Sequence, residues 1–197
     1  AIGDGNDAYG HFTQSVGDNN KVYADHSLGY GAHNKVGAQR AIGTPEKDVV
    51  VDKNTNKASV FGLNNEVVGK NVFVAGNDNK ITDTSTSNAT VIGFGATASS
   101  ANATAIGTAA TALANETVAI GQAAKASGQN SNAYGSQANA SGTSSLAVGT
   151  GSVASGDSAV AIGNDSTVTG GSAVAIGASA TSTGKWSTAL GDSANAK

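Results

Sequence analysis

Glycine recurs at a fixed spacing in this chain, and that spacing constrains the fold more than any other feature. It stands at 93, 107, 121, 135, 149, 163, 177 and 191, always 14 residues apart. Gly128, Gly142, Gly156, Gly170 and Gly184 fall midway, so eleven glycines from Gly121 onward keep a period of seven. A period of seven also spells a coiled-coil heptad, but Gly at one heptad position costs a helix about 1 kcal/mol each time. The helical reading fails. The residues before each Gly instead alternate large and small, as in Val160-Ala161-Ile162, Val174-Ala175-Ile176, Val118-Ala119-Ile120 and Leu146-Ala147-Val148. Alternation of period two is a strand with two faces, and Gly suits the turn that follows because it takes φ > 0 without steric cost.

The expected fold class is therefore all-β, a parallel β-roll or solenoid of 14-residue coils with two short strands each. About fourteen coils at ~4.8 Å each give a length on the order of 65 Å. The preference of large apolar residues for the interior puts the valines and isoleucines inside. Ala105, Ala119, Ala133, Ala147, Ala161, Ala175 and Ala189 then form an outward column of small residues suited to packing against another copy. A roll this thin buries too little alone, so an oligomer is expected.

Composition narrows the class further. Small polar residues are plentiful and aromatics make up only 5%, a bias that reads as disorder until the strict spacing is seen. There is no Cys, which excludes a disulfide framework and thiolate chemistry and leaves oligomerisation as a source of stability. Met is absent even at position 1, which reads as a piece of a longer chain. No stretch approaches the roughly 20 apolar residues of a membrane helix. A net charge of −3 predicts no strong attraction to nucleic acid or membrane. Residues 1–92 carry 18 of the 25 charged residues, so the two halves differ in surface chemistry.

The first half continues the series less regularly, through Ile2-Gly3, Val16-Gly17, Leu28-Gly29, Ile42-Gly43, Phe61-Gly62 and Ala75-Gly76. Its second strands read Asn, charged, aliphatic, as in Asn20-Lys21-Val22, Asn34-Lys35-Val36, Asn65-Glu66-Val67 and Asn79-Lys80-Ile81. Spacing runs two residues short between Gly17 and Gly29, five long before Gly62 and three long before Gly93. One domain over 1–197 is expected, with irregular coils over 1–88, insertions at about 44–59 and 82–88, and regular repeats over 89–197. Val49-Val50-Val51 followed by Asp52-Lys53-Asn54-Thr55-Asn56-Lys57 reads as a strand entering a polar turn, hence a protruding hairpin.

Ser158-Ala159-Val160-Ala161-Ile162-Gly163 and Ser172-Ala173-Val174-Ala175-Ile176-Gly177 resemble the repeat of YadA-like trimeric autotransporter adhesin heads. The resemblance is strong over 89–197 and weaker but continuous over 1–88. It implies a homotrimer of left-handed parallel β-rolls, carried by a stalk and an outer-membrane anchor on the surface of a Gram-negative bacterium. The partners implied are a host matrix protein of the collagen, fibronectin or laminin type, or an immunoglobulin-like cell-adhesion receptor. The collagen-associated form of the repeat begins with Asn, and no full Asn-Ser-Val-Ala-Ile-Gly string occurs in this sequence.

Residues out of pattern are the candidate contacts. Nine positions after the turn Gly the repeats carry Asn102, Glu116, Asn130, Ser144, Ser158 and Ser172, and then Trp186. That position reads as a polar corner, so Trp186 is expected to be exposed, as contact hot spots favour, unless it packs on a neighbour. Phe94 and Tyr30 follow a turn Gly where polar residues are the rule, marking exposed contacts or covers over distorted coils. Lys53, Asn54 and Thr55 lie in the 44–59 excursion, where a loop over a rigid scaffold concentrates function or serves as a solvated hairpin.

Other classes fit less well. His11, His26 and His33 have no ligand spacing, and no cofactor or metal site is legible. Hexapeptide-repeat acyltransferases use a period of six and an inter-chain catalytic His, so an enzyme is not expected. An ice-binding solenoid needs a fixed Thr array, whereas Thr104, Thr117 and Thr188 occupy drifting positions. The N-x-[ST] strings at Asn88, Asn102, Asn115, Asn139 and Asn164 read as chance matches in an Asn- and Ser-rich chain. A spacer or self-association module remains the alternative to an adhesive head.

Overall fold

A computed structural model describes residues 1–37, 52–81, 83 and 85–197, with backbone alone over 52–56. They fall into two units, Ala1–Ala101 and Asn102–Lys197, each a parallel β-solenoid. No helix occurs among the described residues.

In the second unit every coil holds a three-residue strand and a two-residue strand, for example Val160–Ile162 and Thr167–Val168. The three-residue strands stack in parallel without a slip, Leu146 on Val160 on Val174. The two-residue strands do the same, Val153 on Thr167 on Thr181. Seven strands of each kind make the two facing sheets of this unit. Between the strands the chain turns through residues at positive φ, near 54–62° at Asn102, Glu116, Asn130, Ser144, Ser158, Ser172 and Trp186. Each coil's corner is tied to the one before it, as where the Ser158 N–H donates to the Thr143 carbonyl at 2.8 Å.

The glycines are required by more than turn geometry. Gly163 sits at φ 136°, and a Cβ there would collide with the Gly177 carbonyl of the next coil. Gly156 has ordinary φ, yet a Cβ would strike the Gly170 carbonyl. Both glycine columns exist because successive coils approach there too closely for any side chain.

The core corrects the expected orientation. Ala105, Ala119, Ala133, Ala147, Ala161 and Ala175 are 0% exposed and Ala189 is 3% exposed, so the alanine column points inward. The flanking residues, such as Val160 and Ile162, point out and are only partly covered. The reason is width. A coil of 14 residues with such short strands brings its two sheets so close that only small side chains fit between them at interior packing density. The facing positions agree, being Ala112, Ala126, Ala140, Ala154, Val168 and Ser182, all 0% exposed.

The first unit is built differently. Its longer strands span five residues, as in Phe73–Asn77 and Thr90–Phe94, and Val60, Val74 and Val91 replace alanine inside, opposite Val22, Val36, Val67 and Ile81. A ladder of buried asparagines runs along one corner. Asn34 Nδ2 donates to Asn20 Oδ1 at 2.9 Å, Asn65 Nδ2 to Asn34 Oδ1 at 2.9 Å, and Asn79 Nδ2 to Asn65 Oδ1 at 3.0 Å. The same amides donate to the Gly carbonyl of the following coil, Asn34 to Gly62 and Asn65 to Gly76, both at 2.7 Å. In the second unit that carbonyl is satisfied within its own coil, as by the Ala124 N–H on Gly121 at 3.3 Å. Small residues therefore replace Asn at this corner.

Register also departs from expectation. Gly17 pairs with Gly31, not Gly29, and Val16 with Tyr30, so this coil has its full length and the apparent two-residue deficit vanishes. Leu28–Ala32 then pairs directly with Ser59–Leu63 and Lys35–Val36 with Glu66–Val67. No strand lies between them, and Ile42 and Gly43 are outside the described residues. The expected polar turn after Val51 is instead the strand Asp52–Asn56, parallel to Ala24–Asp25, and Val49, Val50 and Val51, the first arm of the expected hairpin, lie outside the described residues. The excess before Gly93 falls between Ile81 and Ser87, where the Thr86 N–H donates to the Asp83 carbonyl at 3.0 Å. Thr82 and Thr84 lie outside the described residues.

Candidate functional site

The two sheets of the second unit present unlike outer faces. Outward on the two-residue strands are Thr111, Lys125, Asn139, Val153, Thr167 and Thr181, mostly polar. Outward on the three-residue strands are two columns beside the buried alanines. One runs Val118, Asn132, Leu146, Val160, Val174 and the other Ile120, Tyr134, Val148, Ile162, Ile176. Exposure reaches 41% at Ile176 and 65% at Leu190. A contiguous aliphatic stripe on a water-facing sheet marks a contact surface. The alanines assigned to packing lie beneath it, so the candidate seam is the flanking columns.

Trp186 is 70% exposed at a corner, as its position in the repeat predicts. Its φ is 62°, a left-handed conformation that is rare for a bulky residue, and its N–H donates to the Gly171 carbonyl at 3.0 Å. Lys185 Nζ lies 4.3 Å from its ring centroid, a cation–π contact. The result is an exposed indole held against an ammonium group.

Phe94 is 56% exposed and closes the strand Thr90–Phe94, level with Asn77 and Leu63. Tyr30 occupies a different position. It points out from mid-strand, stacks on Phe61 at 5.4 Å and donates its hydroxyl to Gln14 Oε1 at 2.6 Å. Phe61 continues the aromatic row to Phe73 at 5.9 Å. Lys53, Asn54 and Thr55 fall in the strand Asp52–Asn56, and their side chains lie outside the described residues.

Phe12 escapes the sequence reading. It is 83% exposed at φ 55° and stacks on His26 at 5.2 Å. Like Trp186 it stands two residues before a long-sheet strand, Gln14–Asp18 in one case and Thr188–Leu190 in the other. That spacing was the available signal, since Phe12 stands nine positions after Gly3 as Trp186 stands nine after Gly177. Tyr9 and Tyr23 stack nearby at 5.4 Å. Burial, with the Asp7 carboxylate and Tyr9 adding to it, pushes the Tyr23 phenol above its usual range.

Among the described residues no group of His, Asp or Glu converges as metal ligands. His11 and His26 share a corner, the His26 N–H donating to the His11 carbonyl at 2.8 Å, while His33 is tied to Asp18 at another. Asp83 accepts the Ser85 N–H and hydroxyl, which holds its carboxyl below the usual range. Both contacts belong to a turn.

Comparison with known families returns a match to the YadA head domain repeat over residues 87–110, 112–138, 140–166 and 169–194. Comparison with curated proteins returns no match.

Proposed function

The chain belongs to the YadA head domain family, and from that premise we propose that it is a homotrimeric adhesin head. It acts at the surface of a Gram-negative bacterium, anchored by regions beyond this chain, and attaches to a host matrix protein or cell-surface receptor. One observation carries the reading, the aliphatic stripe along the outer face of the three-residue strands. It repeats once per coil, so the surface that meshes with it layer by layer has the same repeat, and a second copy of this chain has that repeat. Three copies meeting along their stripes leave the polar sheet and the corners facing outward.

Receptor contact then falls to those exposed corners and edges. Trp186 is the leading residue, since an indole is the side chain most enriched in contact hot spots, with Phe94 and Phe12 as further candidates. Tyr30 and the Lys53–Thr55 segment stay on the list of contacts to test. The evenness of the second unit favours a second reading, a spacer or self-association module whose receptor site lies elsewhere.

Light scattering on the purified chain tests assembly first, the expected mass being about three times the 19.0 kDa chain. Binding to immobilised collagen, fibronectin, laminin and an immunoglobulin-like receptor ectodomain follows, with Trp186→Ala beside the unaltered chain. Loss of binding at least tenfold, or about 1.4 kcal/mol, is expected if Trp186 is a hot spot. Trimers that bind none of these surfaces but cluster cells displaying them would favour the self-association reading.

A further inference from the structure

Both outward columns of the second unit break their pattern in the same coil. Asn132 stands between Val118 and Leu146, and Tyr134 between Ile120 and Val148. Asn132 is the one amide in its column and Tyr134 the one aromatic ring in its own. Tyr134 is 37% exposed. Asn132 is half-buried, and its Nδ2 makes a single long contact of 3.4 Å to the Asn130 carbonyl. A carboxamide offers two donors and two acceptor sites, so most of this amide's capacity is open toward the face that carries the stripe.

Resting on the trimer reading, we infer that this coil is the layer that sets the register of the three copies. The layers around it are near duplicates, Val or Leu in one column and Ile or Val in the other. Between the column's ends, Thr104 and Thr188, a copy displaced by one coil, about 4.8 Å, therefore packs almost as well at every layer but this one. There Asn132 would face an aliphatic side chain and lose its hydrogen bonds on burial. In register the three amides face each other and pair donor to acceptor, with the three phenols beside them. A buried amide within a repetitive apolar seam is the best-attested device for fixing register. It acts by penalising the alternatives rather than by strengthening the correct assembly.

The test is a mixing experiment read by native mass spectrometry, with chains distinguished by a tag. Tagged and untagged wild-type chains, unfolded and refolded together in equal amounts, give mixed species as about three quarters of all trimers. A chain carrying Asn132→Val with Tyr134→Ile copies the residues of neighbouring coils, folds on that account, and in mixture with wild type is expected to deplete mixed trimers severalfold. Statistical mixing of this variant with wild type overturns the register layer and leaves the trimer standing. Wild-type chains that remain monomeric overturn the trimer reading and this inference with it.

Discussion

Alanine at the centre of each three-residue strand decides what each neighbouring position can tolerate. Ala147 is 0% exposed, pressed between two sheets, whereas Val148 beside it faces outward. Ala147→Leu adds volume where none is free, and overpacking of this kind costs typically about 1–3 kcal/mol. Val148→Ser removes apolar surface only from the outer face. Chemical denaturation of dilute, monomeric chain is expected to register the first change and hardly the second. The opposite order would restore the alanine column to the outside. Tyr23 offers a residue-scale test in pH. Its folded-state pKa is raised by burial, by Asp7 and by Tyr9, so folding favours the neutral phenol. That contribution is complete below the unfolded value of about 10 and is lost as pH rises through the folded value. Tyr23→Phe, which cannot ionise, is expected to move the midpoint of alkaline unfolding upward, followed by circular dichroism.

The unit of stability in the first half is the asparagine ladder. Asn34 Oδ1 accepts from the Asn65 backbone N–H at 3.1 Å and from its Nδ2 at 2.9 Å, while Asn34 Nδ2 holds the Gly62 carbonyl. Asn34→Ala strands both the Asn65 N–H and the Gly62 carbonyl in a buried corner, at about 1–3 kcal/mol for each unsatisfied group. Two such groups make a loss large beside typical domain stability, and urea titration would reveal it. A change under about 0.5 kcal/mol would mean that the coil closes its turn as the second unit does, without side-chain help. The sequence displayed the Asn column plainly, together with the strands that follow it. It did not display the register of Tyr30. Leu28-Gly29 imitates the strand-then-turn string, and only pairing of Gly31 with Gly17 separates the imitation from the turn. Face assignment failed for a related reason. Period two says that a strand has two faces, but the gap between the sheets says which is inside, and that gap is a tertiary quantity. Trp186 was legible because six earlier coils show its position to be polar, and Phe12 was not because it stands in the first coil, with none before it to set the pattern.

At the scale of the molecule the alanine-filled interior bears on whether one chain is stable alone. Apolar burial stabilises by roughly 25 cal/mol per Å², and the side chains sealed inside the second unit are mostly methyl groups, while its larger aliphatics lie outside, with Ile176 41% and Leu190 65% exposed. Much of the apolar surface available to this unit is therefore buried only when another copy covers the stripe. Folding and assembly are then linked by mass action, and stability depends on chain concentration. For a trimer that unfolds to three separate chains, a tenfold rise in concentration adds about 0.9 kcal/mol per chain. That corresponds to a rise in Tm of roughly 2–4 °C for a chain of this size. Calorimetry across a hundredfold concentration range would register twice that rise. Removing two layers of the stripe, as in Val160→Ser with Ile162→Ser, is expected to lower Tm and abolish its concentration dependence together. A Tm that holds constant with concentration in the unaltered chain would mean that the narrow interior suffices by itself. The stripe would then be free for a partner other than a copy of this chain.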